Sequence, residues 1–443
     1  MSALPKKLAL SLASILLASA GVEVFHRVFL PLPMPYRLRE GLYLNALPLV
    51  NGLPGDDPSL GPDAVRLKVG KPDNEVRVAV FGESSVWGWP WGPAASAPAM
   101  LEEKLRSAPG RTRHVVINMG RAGSFTMDAY YYLLAARAYR PDIVILYLGS
   151  NDRYDSASEL CWPVQAPRFH RAWRFLVERS AFLARSRVLW PQALLRVAGR
   201  KRLRQGPPGP ALCDPAAASQ AWTDILAEAA ARTGAAVIIT SPIQSDLTRL
   251  APDHGAAGVE RSLAACRFDR GCDFRRRLAG ALKARLGPAG SLPGGIGPMQ
   301  AAWKRSAART GAAFIDFDSF LRGGSARTAL MHPHVIDEVH LSLEAGWLLP
   351  GLWHARITGG ASGGAPRPMG PEEFSRFAST MPSHEAVLVR LGRDLMERGR
   401  LVMAYDLLEE AVERYRSEEA ARLLALMRAR VLREPTGRSS PRP

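Results

Sequence analysis

Four short stretches of this 443-residue chain carry side chains that could act together on one bond. Gly82-Glu83-Ser84-Ser85 closes an apolar run, and the glycine permits a sharp turn that presents Ser84 at the start of a helix. NMGRAGSFT (118–126) offers Gly120 and Gly123, where backbone passes close to a ligand and exposes an N–H. LGSND (148–152) ends in Gly149, Asn151 and Asp152, and an asparagine amide is a suitable donor to a tetrahedral oxyanion. HPHVIDEVHLSLEAG (332–346) sets Asp337 three residues before His340, close enough for the carboxylate to orient the imidazole as a general base toward a serine. Each stretch has a plainer reading. Ser84 as a helix N-cap, Asn151 in an Asx-turn and ordinary turn chemistry in GRAG account for three of them. The fourth has a metal alternative, with His332, His334, Asp337 and His340 as ligands.

Such residues act in concert only if the fold brings them to one place. Five β-branched runs recur: VRVAVFG (76–82), HVVINMG (114–120), DIVILYLG (142–149), AAVIITSP (235–242) and AAFIDF (312–317). Continuous apolar runs suit strands buried on both faces, and amphipathic segments such as PAMLEEKLRS and ASQAWTDILAEAAARTG lie between them. This alternation predicts an α/β fold, a three-layer αβα domain over 76–357 on a five-stranded parallel sheet, with ligands beyond the strands' carboxyl ends. The four chemical stretches all follow strands. Residues 28–75 read as an N-terminal extension and 153–220 as an Arg-rich, aromatic-studded insertion able to form amphipathic helices. Residues 285–298 read as a Gly/Pro loop and 358–370 as a linker. Residues 371–434 turn helical, and Leu391, Gly392, Leu395, Gly399, Ala404, Leu408 and Ala411 follow tetratricopeptide-like spacing in a helical hairpin. The tail, 435–443, reads as disordered.

Compartment and partners follow from charge and cysteine. Lys6-Lys7 precede the uncharged run LALSLASILLASAGV, and Ala18-Ser19-Ala20 resembles a cleavage site, so residues 1–27 read as a secretory signal or an uncleaved membrane anchor. Either places the body outside the cytoplasm, periplasmic or secreted, with membrane association through residues 8–30 if the anchor is kept. Four cysteines suit that compartment: Cys266 and Cys272 enclose a loop short enough for one disulfide, leaving Cys161 and Cys213 as the second pair. A net charge of +17 favours anionic surfaces, but no basic block interleaved with aromatics marks a nucleic-acid module.

Taken in order, Ser after the first run, Gly after the second, Gly-x-Asn-Asp after the third and Asp-x-x-His near the end resemble the four blocks of the SGNH/GDSL hydrolase superfamily. The resemblance covers residues 76–350 and implies a flavodoxin-like sheet. It implies Ser84 as nucleophile, Asp337 and His340 as the rest of a triad, and an oxyanion hole of Ser84 N–H, Gly123 and Asn151. No cofactor and no metal is expected. Glu83 departs from the usual aspartate, while Gly88 keeps the later glycine of the first block. The implied function is an extracytoplasmic serine esterase acting on a short-acyl or O-acetyl ester, such as an acylated glycan, with Trp87 or Trp89 walling the substrate. Two alternatives stay open: an O-acetyltransferase or modifying partner in surface-polysaccharide assembly, and a non-catalytic membrane-tethered scaffold. No partner for the helical C-terminus follows from the sequence.

Overall fold

The β-branched runs fold as strands because every second side chain of each meets a helix on one face and its neighbours meet helices on the other. The computed structural model describes residues 14, 17–24, 34–37, 42–46, 67–68, 70–107, 112–152, 160–180, 183, 213–243, 257–269, 271–274, 276–278, 280–281, 296–323, 334–337, 339–359, 366–380 and 383–433. Five strands follow the predicted runs: β3 (Glu75–Gly82), β4 (Arg113–Asn118), β5 (Ile143–Tyr147), β6 (Ala236–Thr240) and β7 (Ala313–Ile315). They are parallel, in the order β4-β3-β5-β6-β7. The chain leaves β3 toward one side and returns to β5 on the other, so the carboxyl end of β3 is the switch point where α/β sheets open a crevice.

The sheet is wider than the five strands expected. A hairpin of β1 (Met34–Arg37) and β2 (Leu42–Ala46) extends it to seven strands, with β2 parallel to β4 and β1 antiparallel at the edge. These strands lack a continuous apolar run, and among the described residues β1 is the edge strand, a position that tolerates Pro35.

The helices that frame the sheet and follow it are α1 (Ser84–Trp87), α2 (Ala97–Arg106), α3 (Thr126–Ala136), α4 (Trp162–Gln165), α5 (Pro167–Arg179), α6 (Pro215–Ala231), α7 (Ala257–Phe268), α8 (Ile296–Thr310), α9 (Phe317–Leu321), α10 (Leu343–Ile357), α11 (Pro371–Ala378), α12 (His384–Glu397), α13 (Leu401–Tyr415) and α14 (Glu418–Arg433). One sheet face packs Phe81, Ile117, Val144 and Leu146 against α3, α6 and α8. The other packs Val78, Val80, Val116 and Ile145 against α2 and α10. Three buried tryptophans knit these layers because each indole N–H finds an acceptor. Trp222 donates to Leu160 O (3.0 Å), Trp303 to Ser219 Oγ (3.0 Å) and Trp353 to Thr240 Oγ1 (2.9 Å).

Both cysteine pairs are disulfides, with Cα–Cα separations of 5.8 Å for Cys161–Cys213 and 5.3 Å for Cys266–Cys272. The first ties the entry to the insertion to the start of α6. The C-terminal region is more than a hairpin. Helices α12 and α13 pair where Gly392 meets Leu408, turn at Gly399 (φ +76°), and are flanked by α11 and α14. Their apolar faces share one core with Trp91, Met100, Ile336, Leu343 and Trp347 and with α7. Before them, Pro366 lies against Gly351 of α10. Among the described residues, no helix is long and apolar enough to cross a membrane. Residues 1–13, 153–159, 184–212, 285–295, 360–365 and 434–443, and with them much of the leader, insertion, linker and tail readings, lie outside the described residues.

Trp353 sits in the helix that follows the His340 loop. Truncation of a buried aromatic of this size destabilises by about 3–5 kcal/mol, and Trp353→Ala also strips Thr240 of its partner. The expected result is a lower denaturant midpoint with an unchanged denaturant slope.

Candidate active site

The turn after β3 is shaped by an absence of bulk. At Gly82 a Cβ would run into the Val86 side chain and the Tyr147 carbonyl oxygen, so no other residue allows this path. Glu83 takes the N-cap position in extended backbone, without a side-chain cap bond, and its carbonyl accepts from Val86 N (3.1 Å) and Trp87 N (3.0 Å). Ser84 is therefore the first helical residue of α1 and not its cap. Gly88, at φ +112°, closes the turn by donating to Ser84 O (3.0 Å).

Ser84, His340 and Asp337 form one hydrogen-bonded line. Ser84 Oγ lies 2.6 Å from His340 Nε2, and His340 Nδ1 lies 2.7 Å from Asp337 Oδ2. Asp337 Oδ1 accepts the backbone N–H groups of Val339 (3.0 Å) and His340 (2.9 Å), which fixes the carboxylate in its own turn. Burial alone would raise the Asp337 carboxyl, but the His340 charge and these hydrogen bonds outweigh it and hold it below the usual aspartate range.

The loop that carries this pair is clamped from several sides. Val335 and Leu341 form an antiparallel bridge, Ile336 N donates to His340 O (3.0 Å), and Ser342 N donates to His334 O (3.0 Å). Ser85 Oγ donates to Val339 O (3.2 Å), so the second serine holds the loop while the first faces the imidazole. Trp91 Nε1 donates to Leu341 O (3.1 Å). The Trp89 ring rests against the His340 ring, centroids 4.2 Å apart and planes tilted by 45°. Trp87 is half-buried, and its carbonyl accepts from Asn118 Nδ2 (3.4 Å). His332, one of the four residues in the metal alternative, lies outside the described residues. Among the described residues no group of three or more His, Cys, Asp or Glu side chains converges as a metal site would require.

Glu83 joins the nucleophile turn to the loop after β5. Its buried carboxylate accepts Gly149 N (2.7 Å) and Asn151 N (3.0 Å). The Asn151 amide donates one of its two N–H groups to Ser124 O (2.9 Å). Arg121 N (3.1 Å) and Ser124 Oγ (3.3 Å) both donate to Gly82 O, tying the Gly123 loop to the same strand end. Gly120 makes the close approach, since a Cβ there would meet the backbone of Val86 and Trp87. Gly123 is exposed at φ +72°, with open space around it, so its need for glycine is conformational. Asp152 is fully buried and accepts Thr126 N (2.9 Å) and Thr126 Oγ1 (2.6 Å), which makes it a brace for α3. The geometry thus gathers Ser84, Gly123, Asn151, Asp337 and His340 at one sheet edge. A hydroxyl aimed at an oriented imidazole, beside an amide donor, is suited to acyl transfer.

Sequence reasoning missed three supports of this site: Glu83 as a clamp, Ser85 as a loop tie, and Asn118. Asn118 is fully buried and donates to Val86 O (3.0 Å) and Ser96 Oγ (3.2 Å), while its Oδ1 accepts from Gly120 N (2.9 Å). A polar residue ending the otherwise apolar HVVIN run was the signal available for it.

Two predictions follow from these contacts. Glu83→Ala leaves two backbone N–H groups without their acceptor and frees the Asn151 loop. With misplacement at the 1 Å scale costing about a hundredfold, kcat on a simple ester is expected to fall by that order while KM changes little. The Asp337 carboxylate, depressed in the folded state, contributes stability above the unfolded value of about 4 that is lost as pH drops through its lower folded value. Wild type and Asp337→Asn should therefore differ most in unfolding free energy near neutrality and converge in strong acid, as a urea titration across pH would read.

Residues 80–260 match the GDSL-like lipase/acylhydrolase family. That match ends before Asp337 and His340, whose placement rests on the geometry above. No curated protein matches the sequence. Similar solved structures include a lipase/acylhydrolase from Enterococcus faecalis, 14% identical, covering 64% of this chain and 96% of its own with a TM-score of 0.34. A GDSL-like lipase from Bacteroides thetaiotaomicron is 14% identical, covering 66% and 92% with a TM-score of 0.33. An acetyl-xylooligosaccharide esterase from Geobacillus is 15% identical, covering 66% and 97% with a TM-score of 0.34. Over residues 80–260 the chain is thus similar to the GDSL-like lipase/acylhydrolase family.

Proposed function

We propose that the protein is an extracytoplasmic serine esterase that cleaves a short-acyl or O-acetyl ester through an acyl-enzyme on Ser84. The observation that carries this reading is the unbroken line from Ser84 Oγ through His340 to Asp337. Ser84 Oγ attacks the ester carbonyl and passes its proton to His340 Nε2. The Asp337 carboxylate holds Nδ1–H and stabilises the imidazolium. The carbonyl oxygen, now negative, is met by N–H groups of Ser84, Gly123 and Asn151. His340 returns the proton to the leaving alcohol as the C–O bond breaks. Water, deprotonated by the same imidazole, then releases the acid and restores Ser84.

The placement outside the cytoplasm is supported by two disulfides and by the basic, apolar start of the chain. The preference for a small acyl group on a glycan draws on the basic net charge, which suits an anionic polymer, and on the half-buried Trp87 and Trp89 near the nucleophile. One related structure is named for an acetylated xylo-oligosaccharide substrate.

Hydrolysis of p-nitrophenyl acetate and of an acetylated glycan tests the reading. Ser84→Ala is expected to lower kcat/KM at least about a thousandfold, and a fluorophosphonate probe should label the wild type at Ser84 alone. Equal activity in the two proteins would refute the mechanism. Transfer of acetyl to an added glycan in place of release as acetate would assign the second half-reaction to a sugar acceptor.

A further inference from the structure

Helix α5, in the insertion, turns a narrow face inward and leaves a broad one outside. His170 and Val177 are its buried residues, with His170 edge-on to Trp222 at 4.7 Å. Its single carboxylate, Glu178, also points into the fold, where it accepts from Tyr130 (3.0 Å) and Arg232 (2.8 Å). The outer face carries Phe169, Phe175 and Leu176, exposed by 57%, 55% and 51%, set among the exposed Arg168, Arg171 and Arg179. The Arg179 guanidinium lies 3.6 Å over the Phe175 ring. Large apolar side chains exposed together on one helical face are costly in water and mark a contact surface.

A second exposed apolar surface adjoins it. At the end of α5, Ser180 Oγ donates to Glu23 Oε2 (2.8 Å), in the helical residues 17–24. There Leu17, Val22 and Val24 are exposed by 75%, 41% and 56%. These residues end the uncharged run 8–22 that follows Lys6-Lys7. The structure thus brings residues 17–24, where that run ends, beside the end of α5.

We propose that this face of α5 is an interfacial helix that lies on an anionic lipid surface, next to the membrane-directed N-terminal segment. Phe169, Phe175 and Leu176 would enter the acyl boundary while the three arginines reach the headgroup phosphates. Charge argues against the other occupants. Two copies apposed through this face would set arginine against arginine, since the one carboxylate of α5, Glu178, points into the fold. A soluble polyanion would satisfy the arginines but leave the two phenylalanines and the leucine in water. This assignment is independent of the catalytic reading.

The test uses the full-length protein carrying Phe175→Cys labelled with an environment-sensitive fluorophore. The native cysteines are all in disulfides, so the new thiol is the labelling site. With phosphatidylglycerol-containing vesicles the label should shift to the blue and be quenched by brominated acyl chains. Arginine near an anionic surface contributes about fivefold each, so Arg168→Ser with Arg171→Ser should lower the docked-to-undocked ratio roughly thirtyfold. Circular dichroism of that variant should be unchanged, and pure phosphatidylcholine should give little shift. A label that stays in water while the chain is bound to anionic vesicles would overturn the proposal. So would a blue shift that grows with protein concentration without lipid, or an equal shift with a soluble anionic polysaccharide.

Discussion

A single buried carboxylate joins the two halves of the candidate site. Glu83 follows the central strand β3 and receives the N–H groups of Gly149 and Asn151 from the end of β5. Those groups have no strand partner at that point, and a buried N–H left unmet costs as much as a lost hydrogen bond. Ser84 follows Glu83 in the chain, so the position of the nucleophile and that of the Asn151 amide are set by one group. The remaining braces converge on the same strand end: Asn118 on the α1 carbonyls, Ser124 and Arg121 on Gly82 O, and Gly120 against the α1 backbone.

The parallel strands and the order of the motif residues along them were readable in the sequence because that information is local. Short β-branched runs read as strands, and five such runs alternating with amphipathic segments leave few architectures. Motif order added the rest, since residues that follow parallel strands must share an edge. What could not be read depends on distant pairs. Trp91 bonds the Leu341 carbonyl, Ser85 the Val339 carbonyl, and Glu260 the Val402 N–H, each across a long stretch of chain. The hairpin β1–β2 escaped for another reason: edge strands need no continuous apolar run, and Pro35 in MPYR argues against a strand anywhere but at an edge.

Glu83 stands where the resembling family usually has an aspartate, and here the longer arm takes the clamping role. The extra methylene of Glu83 lies within a residue that is almost fully buried, and its carboxylate still reaches both amides at ordinary hydrogen-bond lengths. The turn geometry and side-chain length have to agree for this to occur, and Gly82, with no Cβ, leaves the space the turn needs.

The wall behind the His340 loop has a bearing on how the protein comes into being. Trp91 holds the Leu341 carbonyl with its indole N–H and stacks on His384, centroids 4.9 Å apart, and His384 Nδ1 is in turn 2.8 Å from the Tyr415 hydroxyl. Tyr415 leaves the ribosome roughly 300 residues after Trp91, whereas domains of a growing chain tend to fold from the N-terminus onward. Ser84 therefore waits through most of synthesis for the loop that aligns its base to gain its last support. A chain interrupted before α12 would hold every residue of the hydrogen-bonded line, yet lack the helices against which the loop's tryptophan is braced.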